Sequence, residues 1–473
     1  MSIRLLDPVI RIATVQTRMP FRYGIATLTQ APHLFIEARV ESGGKTARGV
    51  AADLLPPKWF TKNPATSLTD DIAEMLDVIG HAARAAAALG QCETVFEAWR
   101  AVYAAQDAWG AARGVPPLLW NFGVSLVERV MIDGWCRAHG CTFAHAIREN
   151  FFGVRLRDVD PQLTGAPRDW LPREPLGEII VRHTVGLSDP LTEAEIPSAE
   201  RLDDGLPHSL AACIAQHGLT HFKIKLAGEP QRDAERLRAI AAVVGSRCAY
   251  TLDGNENYTA VAPLRDFWER LRHDVALGDF LEGLIAIEQP MHRDVALSET
   301  TADELRRWAE RPPLIIDESD ADLASLPRAL GCGYLGTSHK NCKGVIKGVI
   351  NTCRLRQRVA GGGHAVLTAE DLSNIGPVAL LQDLAVVATL GIVHAERNGH
   401  HYFAGLSQWP AGIQRETLSA HPDLYEQHAG GFPALRVHRG KIATGSVVAA
   451  PFGYGSTLDL TPFPRLEEWE RTV

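Results

Sequence analysis

The feature that most narrows what this chain can fold into is a relay of short apolar runs, each ending in a charged residue, between positions 221 and 340. The runs read H-F-K-I-K-L (221–226), A-Y-T-L-D-G-N (249–255), I-A-I-E-Q-P (285–290), L-I-I-D-E-S (314–319) and Y-L-G-T-S-H-K (334–340). Each is strand-like and bounded by Gly, Pro or Asn, and a stretch long enough for one helix and two loops separates it from the next. Strand and helix alternating in this way predict a parallel (β/α)8 barrel of the TIM type, with successive strand ends on one face. In such barrels that face carries the chemistry.

The charged residues at these ends are Lys223 with Lys225, Asp253, Glu288, Asp317 and Lys340. Any one acid could simply cap a helix. Three at successive strand ends would repel one another and resist desolvation unless a cation sat among them. All-oxygen ligation by Asp253, Glu288 and Asp317 suits a hard ion, Mg²⁺ before Mn²⁺, with positions left for water or substrate oxygens. Lys223 and Lys225 are two apart on a strand and point to one side, with Ile224 on the other. Two ammonium groups held together near a cation and partly buried are expected to have lowered pKa values, which suits one of them to act as a base near neutral pH. Lys340 is expected to face Lys225 across a bound substrate. The plainer reading is a snorkelling pair and a solvated loop lysine.

In this order, K-x-K, Asp, Glu, Asp and Lys along successive strands, together with L-D-G-N, I-E-Q-P, I-D-E-S and S-H-K-N-C-K-G, the chain resembles the enolase superfamily, within it the muconate lactonizing enzyme-like branch (mandelate racemase/muconate cycloisomerase family). The resemblance implies a modified enolase-like barrel with an N-terminal capping domain. It also implies Mg²⁺ on Asp253, Glu288 and Asp317, and abstraction of the proton α to a substrate carboxylate through a metal-held enediolate. Lys225 and Lys340 would be the two acid/base groups, with Lys223 tuning Lys225 and touching the carboxylate. The expected activity is racemisation, epimerisation or cycloisomerisation; the alternatives are a lyase (dehydratase or β-elimination) at the same site and a metal-stabilised barrel kept as a binding protein. Sugar-acid dehydratases of the superfamily pair a seventh-strand His with a sixth-strand Asp, and Lys340 in the sixth position argues against them. Relatives are often homo-oligomers, which sets the expectation here.

Flanking segments complete the reading. At 473 residues the chain can hold two domains. A net charge of −8 argues against nucleic acid as a partner. No apolar run of membrane-spanning length appears, and the first residues lack a signal peptide's apolar region. None of the eight cysteines is spaced C-x-x-C, which reads as cytoplasmic, reduced thiols; Cys342, near Lys340, reads as a packing residue.

Residues 1–150 read as an α+β cap: two extended segments ending at E-S-G-G, then a helical hairpin carrying a Thr94-x-x-Glu97 capping box and a Gly140 stop. Two loops, 18–30 and 52–64, are expected to fold over the barrel mouth and select the substrate, with Phe21 and Trp59 in contact. The barrel is expected over 175–397, with strands at 177–186, 361–371 and 391–397 added to the five above, and residues 398–473 as a loop-rich tail packing back on the cap. Substrate contacts are expected from Asn255, from Thr368, Glu370 and Asp371 on the seventh strand, and from His394, Glu396 and Arg397 on the eighth, with Glu396 favoured for an ammonium group. His364 and His394 read as satisfied core histidines.

Overall fold

The structure is a computed structural model and describes residues 1–23 and 26–469. The chain opens with β1 (Ile3–Tyr23), β2 (Ala26–Ser42) and β3 (Lys45–Leu54), an antiparallel sheet in that order. Residues 18–30, expected as an irregular loop, are strand up to the tip, where Phe21 pairs with Leu28 and Arg22 with Thr27. Residues 24–25 of that segment lie outside the described residues. Polarity did not prevent pairing because β3 reaches β2 only as far as His33, so at the tip the two strands need only each other.

Three helices follow where a helical pair was expected: α1 (Leu68–Ala88), α2 (Val95–Arg113) and α3 (Pro117–His139). Ser67 and Asp70 form a reciprocal capping box at the start of α1. At the start of α2 the Thr94 hydroxyl accepts from the Glu97 N–H at 3.1 Å, while the Glu97 carboxylate pairs with Arg155. Gly140 closes α3 with φ +61°. α3 lies directly on the sheet, because two facing residues lack side chains. A Cβ on Gly49 would meet the Val130 carbonyl oxygen at 2.1 Å, and one on Gly134 would meet Val40 Cγ2 at 2.4 Å.

Eight parallel strands then build the barrel: β4 (Glu178–Val185), β5 (His221–Lys225), β6 (Ala249–Asp253), β7 (Leu284–Glu288), β8 (Leu314–Ile316), β9 (Gly336–His339), β10 (Val366–Ala369) and β11 (His394–Glu396). Each pairs with the next, and β11 pairs with β4 to close the ring. In the tail, Lys441–Ala443 pairs antiparallel with β4, and the Pro464 carbonyl accepts from the Ile12 N–H at 3.1 Å. The tail therefore touches both barrel and cap sheet. Among the described residues no helix is long and apolar enough to cross a membrane.

Candidate active site

Strand register brings the charged ends together. Lys225 is paired with Asp253, and Asp253 with Glu288, on β5, β6 and β7. His339 is paired with Ala369 and Ala369 with Ala395, so Lys340, Glu370 and Glu396 each follow a paired residue. The parallel ladder thus sets side chains from distant parts of the sequence on one rim.

Lys223 is the hub. Its Nζ lies 2.6 Å from Glu370, 2.8 Å from Glu288, 2.9 Å from Glu396 and 3.0 Å from Asp253. Lys225 donates to Asp253 at 2.5 Å and to Asn255 at 3.3 Å. Lys340 lies 2.7 Å from Asp317 and 2.9 Å from Glu370, and its Nζ is 4.3 Å from the centre of the Trp59 ring. Lys343 holds the other Asp317 oxygen at 2.8 Å. Arg182 of β4 stands 3.6 Å from both Glu288 and Glu370, and Ser338 donates to Glu370 at 2.8 Å.

The lowered pKa expected within the Lys223–Lys225 pair is not found at Lys223, and Lys340 shows the same upward direction. Burial alone would discharge both ammonium groups, but the surrounding carboxylates outweigh it and hold both well above the ordinary lysine value. The sequence reading counted a like charge nearby and missed how many acids the barrel would gather. Among those acids, burial and the neighbouring Glu370 drive Glu288 well above the ordinary carboxylate value. Glu370 is buried as deeply, yet Lys223 and Lys340 hold it well below that value. Lys223 and Lys225 similarly hold Asp253 low against its burial.

The acids whose oxygens come within 4.8 Å of one another are Glu288, Asp317 and Glu370. Asp253, expected in the trio, stands beside it and is joined to Glu288 and Glu370 through Lys223. The set fits a hard cation: every donor is oxygen, and Glu288 Oε2 is buried without a hydrogen-bond partner among the described residues. Glu370, expected as a substrate contact, lines the cavity and also joins the carboxylate cluster.

A cavity above these groups is lined by Lys223, Lys225, Asp253, Asn255, Asp317, Lys340, Glu370, Asp371 and Glu396, with Phe21, Leu28, Leu54 and Trp59 on the cap side. The segment after β3 is fastened there by Arg293, which donates to the carbonyls of Phe60 at 2.7 Å and Trp59 at 3.1 Å while gripping Glu256 at 2.6 Å. Phe60 stacks on Phe122 below, with centroids 4.5 Å apart, which leaves Trp59 over the cavity. Thr368, named from the sequence as a contact, is buried in the barrel wall and is not among the residues lining the cavity. Arg397 turns to Asp371 at 2.9 Å. Glu396, favoured for an ammonium group of the substrate, already has the Lys223 ammonium and donors from Thr184 and Asn398. His394 Nδ1 is buried without a hydrogen-bond partner among the described residues, and His364 is exposed. Cys342 is buried, and burial pushes its thiol well up, as suits a packing residue.

Several contributors went unnoticed in the sequence. Arg182 had a signal, a lone Arg inside the apolar run E-I-I-V-R-H-T-V. Lys343 had none, since it follows a strand end in what reads as loop. The cap also enters: the Glu128 carboxylate on α3 accepts from the N–H groups of Val345 and Ile346, and Asn121 donates to the Lys343 carbonyl at 3.0 Å. The turn carrying Lys340 is thereby clamped by a helix of the other layer.

Residues 206–400 match the family model described as Enolase C-terminal domain-like. Over that stretch the barrel is similar to the C-terminal domain of enolase-type proteins. A search of curated proteins gives no match. Among solved structures, the chain is similar to a muconate lactonizing enzyme from Pseudomonas fluorescens complexed with muconolactone (TM-score 0.62, 16% identity, covering 96% of this chain and 97% of that one). It is also similar to a dipeptide epimerase from Enterococcus faecalis V583 complexed with Mg and a dipeptide (TM-score 0.61, 14% identity, 95% and 99% covered). A third is an enolase from Bradyrhizobium complexed with magnesium and mandelic acid (TM-score 0.57, 14% identity, 97% of both chains). At such identities these likenesses establish the fold, an enolase-type barrel with its cap.

Proposed function

We propose that the protein is a Mg²⁺-dependent isomerase that removes the proton α to the carboxylate of a small substrate and returns a proton, as a racemase, epimerase or cycloisomerase. The observation that carries this reading is the pair Lys225 and Lys340, which line one cavity from opposite arms of the carboxylate cluster, each held by a different aspartate. Glu288, Asp317 and Glu370, with Asp253 beside them, would hold the ion. When bound, Mg²⁺ supplies positive charge that offsets the negative charge gathering on the substrate carboxylate as the proton leaves.

The chain's own groups divide the remaining work. Lys225, kept in place by Asp253 and Asn255, takes the α-proton from one face; Lys340, under Trp59, delivers to the other. Asp253 and Asp317 serve as counter-ions that hold the Lys225 and Lys340 ammonium groups in place. Phe21 and Trp59 cover the cavity and keep water away. The neighbours with bound mandelic acid and dipeptide support a small carboxylate as substrate class.

The test is proton NMR in D₂O with Mg²⁺, screening pooled α-substituted carboxylic acids and amino-acid derivatives. Loss of the α-proton signal without a new product establishes the 1,1-proton transfer. A new vinylic or keto signal would move the assignment to a lyase.

A further inference from the structure

Along β4 the side chains alternate: Arg182 and Thr184 reach the carboxylate site, whereas His183 between them faces the other way, toward the outer helices. There it meets Cys213, on the helix Leu210–His217, and His401, on the short helix Gly399–Tyr402. All three are buried, at 2%, 0% and 3% exposure. One donor atom from each lies within 4.8 Å of the other two, and Cys213 Sγ is 3.5 Å from His401 Nδ1. Two more imidazoles pack around the group: the His400 ring centre is 5.4 Å from that of His183 and 5.5 Å, edge-on, from that of His217. His400 Nδ1 is buried and has no partner among the described residues.

Ordinary packing accounts poorly for this. Buried imidazoles are normally oriented by a carboxylate or carbonyl on each ring nitrogen, yet His401 Nδ1 meets a thiol and His183 Nδ1 another imidazole. Charged and titratable groups near the cluster include Glu193, His208, Arg18, whose guanidinium donates to the His401 carbonyl at 2.7 Å and pairs with Asp204, and Asp189, which is taken up by the Tyr402 hydroxyl at 2.9 Å.

We propose that His183, Cys213 and His401 bind a soft divalent cation of the Zn²⁺ class, with the remaining tetrahedral position left to water. Two nitrogens and a sulfur select a softer metal than the all-oxygen site on the other side of β4, so one chain would sort two kinds of ion by donor chemistry. Metal–nitrogen bonds of about 2.0–2.1 Å and a metal–sulfur bond of about 2.3 Å need donors roughly 3.3–3.8 Å apart. The observed separations reach that with small side-chain adjustments. Burial leaves both imidazoles neutral, with lone pairs free for a metal, His183 being pushed down to about 3. The Cys213 thiol, pushed up to about 12 by burial, would release its proton to solvent as the metal–sulfur bond forms, with no change of oxidation state. Such an ion would tie β4 to the turn that directly follows Glu396 and Asn398, two residues lining the catalytic cavity.

The probe is Co²⁺ added to the full-length metal-stripped protein in the presence of excess Mg²⁺, which occupies the carboxylate site. The expected result is an intense near-ultraviolet thiolate-to-cobalt band that saturates at one Co²⁺ per chain and is abolished by added Zn²⁺. Cys213→Ser should lose the band and Cys92→Ser should keep it. If Cys213→Ser does not fold, His401→Gln provides the reading, with a shifted band and weaker Co²⁺ binding. Absence of the band in the wild-type protein, or its persistence unchanged in Cys213→Ser or His401→Gln, overturns the proposal. The readout is independent of catalytic activity, so it stands or falls apart from the isomerase reading.

Discussion

Lys340 sits between Asp317 and Glu370 with Trp59 as a roof, and its removal leaves Asp317 still held by Lys343. Lys340→Ala is therefore expected to keep the fold while lowering racemisation about 10²–10⁴-fold, the usual contribution of a positioned acid or base. Solvent exchange of the α-proton in one enantiomer should continue through Lys225. Following deuterium incorporation separately in each enantiomer checks this; undiminished exchange in both would exclude the two-base scheme. The residue identities at these positions were legible from the sequence because each ends an apolar run. Their charge states were not, because Lys223 has four acids around it that come from four different strands.

The cap helix α3 couples sheet and barrel, and two predictions belong to it. Gly134→Ala forces a methyl group against Val40, an overpacking worth about 1–3 kcal/mol, so the thermal midpoint should fall by several degrees. An unchanged midpoint would mean that α3 can shift on its sheet. Glu128, on the same helix, has its carboxyl pushed up to about 8 by burial, even though it accepts from the N–H groups of Val345 and Ile346. A folded value raised above the ordinary 4.5 means a contribution present below pH 4.5 and lost as pH rises through about 8. The midpoint of Glu128→Gln relative to wild type should accordingly improve as pH is raised across that window, measured by thermal denaturation at stepped pH. A difference independent of pH would remove Glu128 as the titrating group. At this scale the sequence marked helix ends through Thr94 and Gly140, whereas the Ser67 cap of α1 went unread. It misjudged residues 18–30, where pairing between two polar strands needs no apolar pattern.

For the molecule as a whole, burial pushes His33, His183, His339 and His394 down to about 3. Unfolded imidazoles take up protons below the ordinary 6.5 whereas these do not, so the stability they contribute is present above pH 6.5 and is lost as pH falls toward 3. Each adds a slope of about 1.4 kcal/mol per pH unit inside that window. Denaturant unfolding at stepped pH should show stability falling with a slope of several protons below pH 6; a flat profile would show that the folded protein accepts those protons. The sequence by itself determined the βα alternation and the order of charges along the barrel rim, since apolar run length, turn residues and strand-end position are local properties. Only the tertiary structure decided that Glu370 joins Glu288 and Asp317, that α3 clamps the Lys340 turn, and that His183, Cys213 and His401 meet behind β4. Those contacts join residues far apart along the chain, and they exist only once parallel register and ring closure have fixed which strand lies beside which.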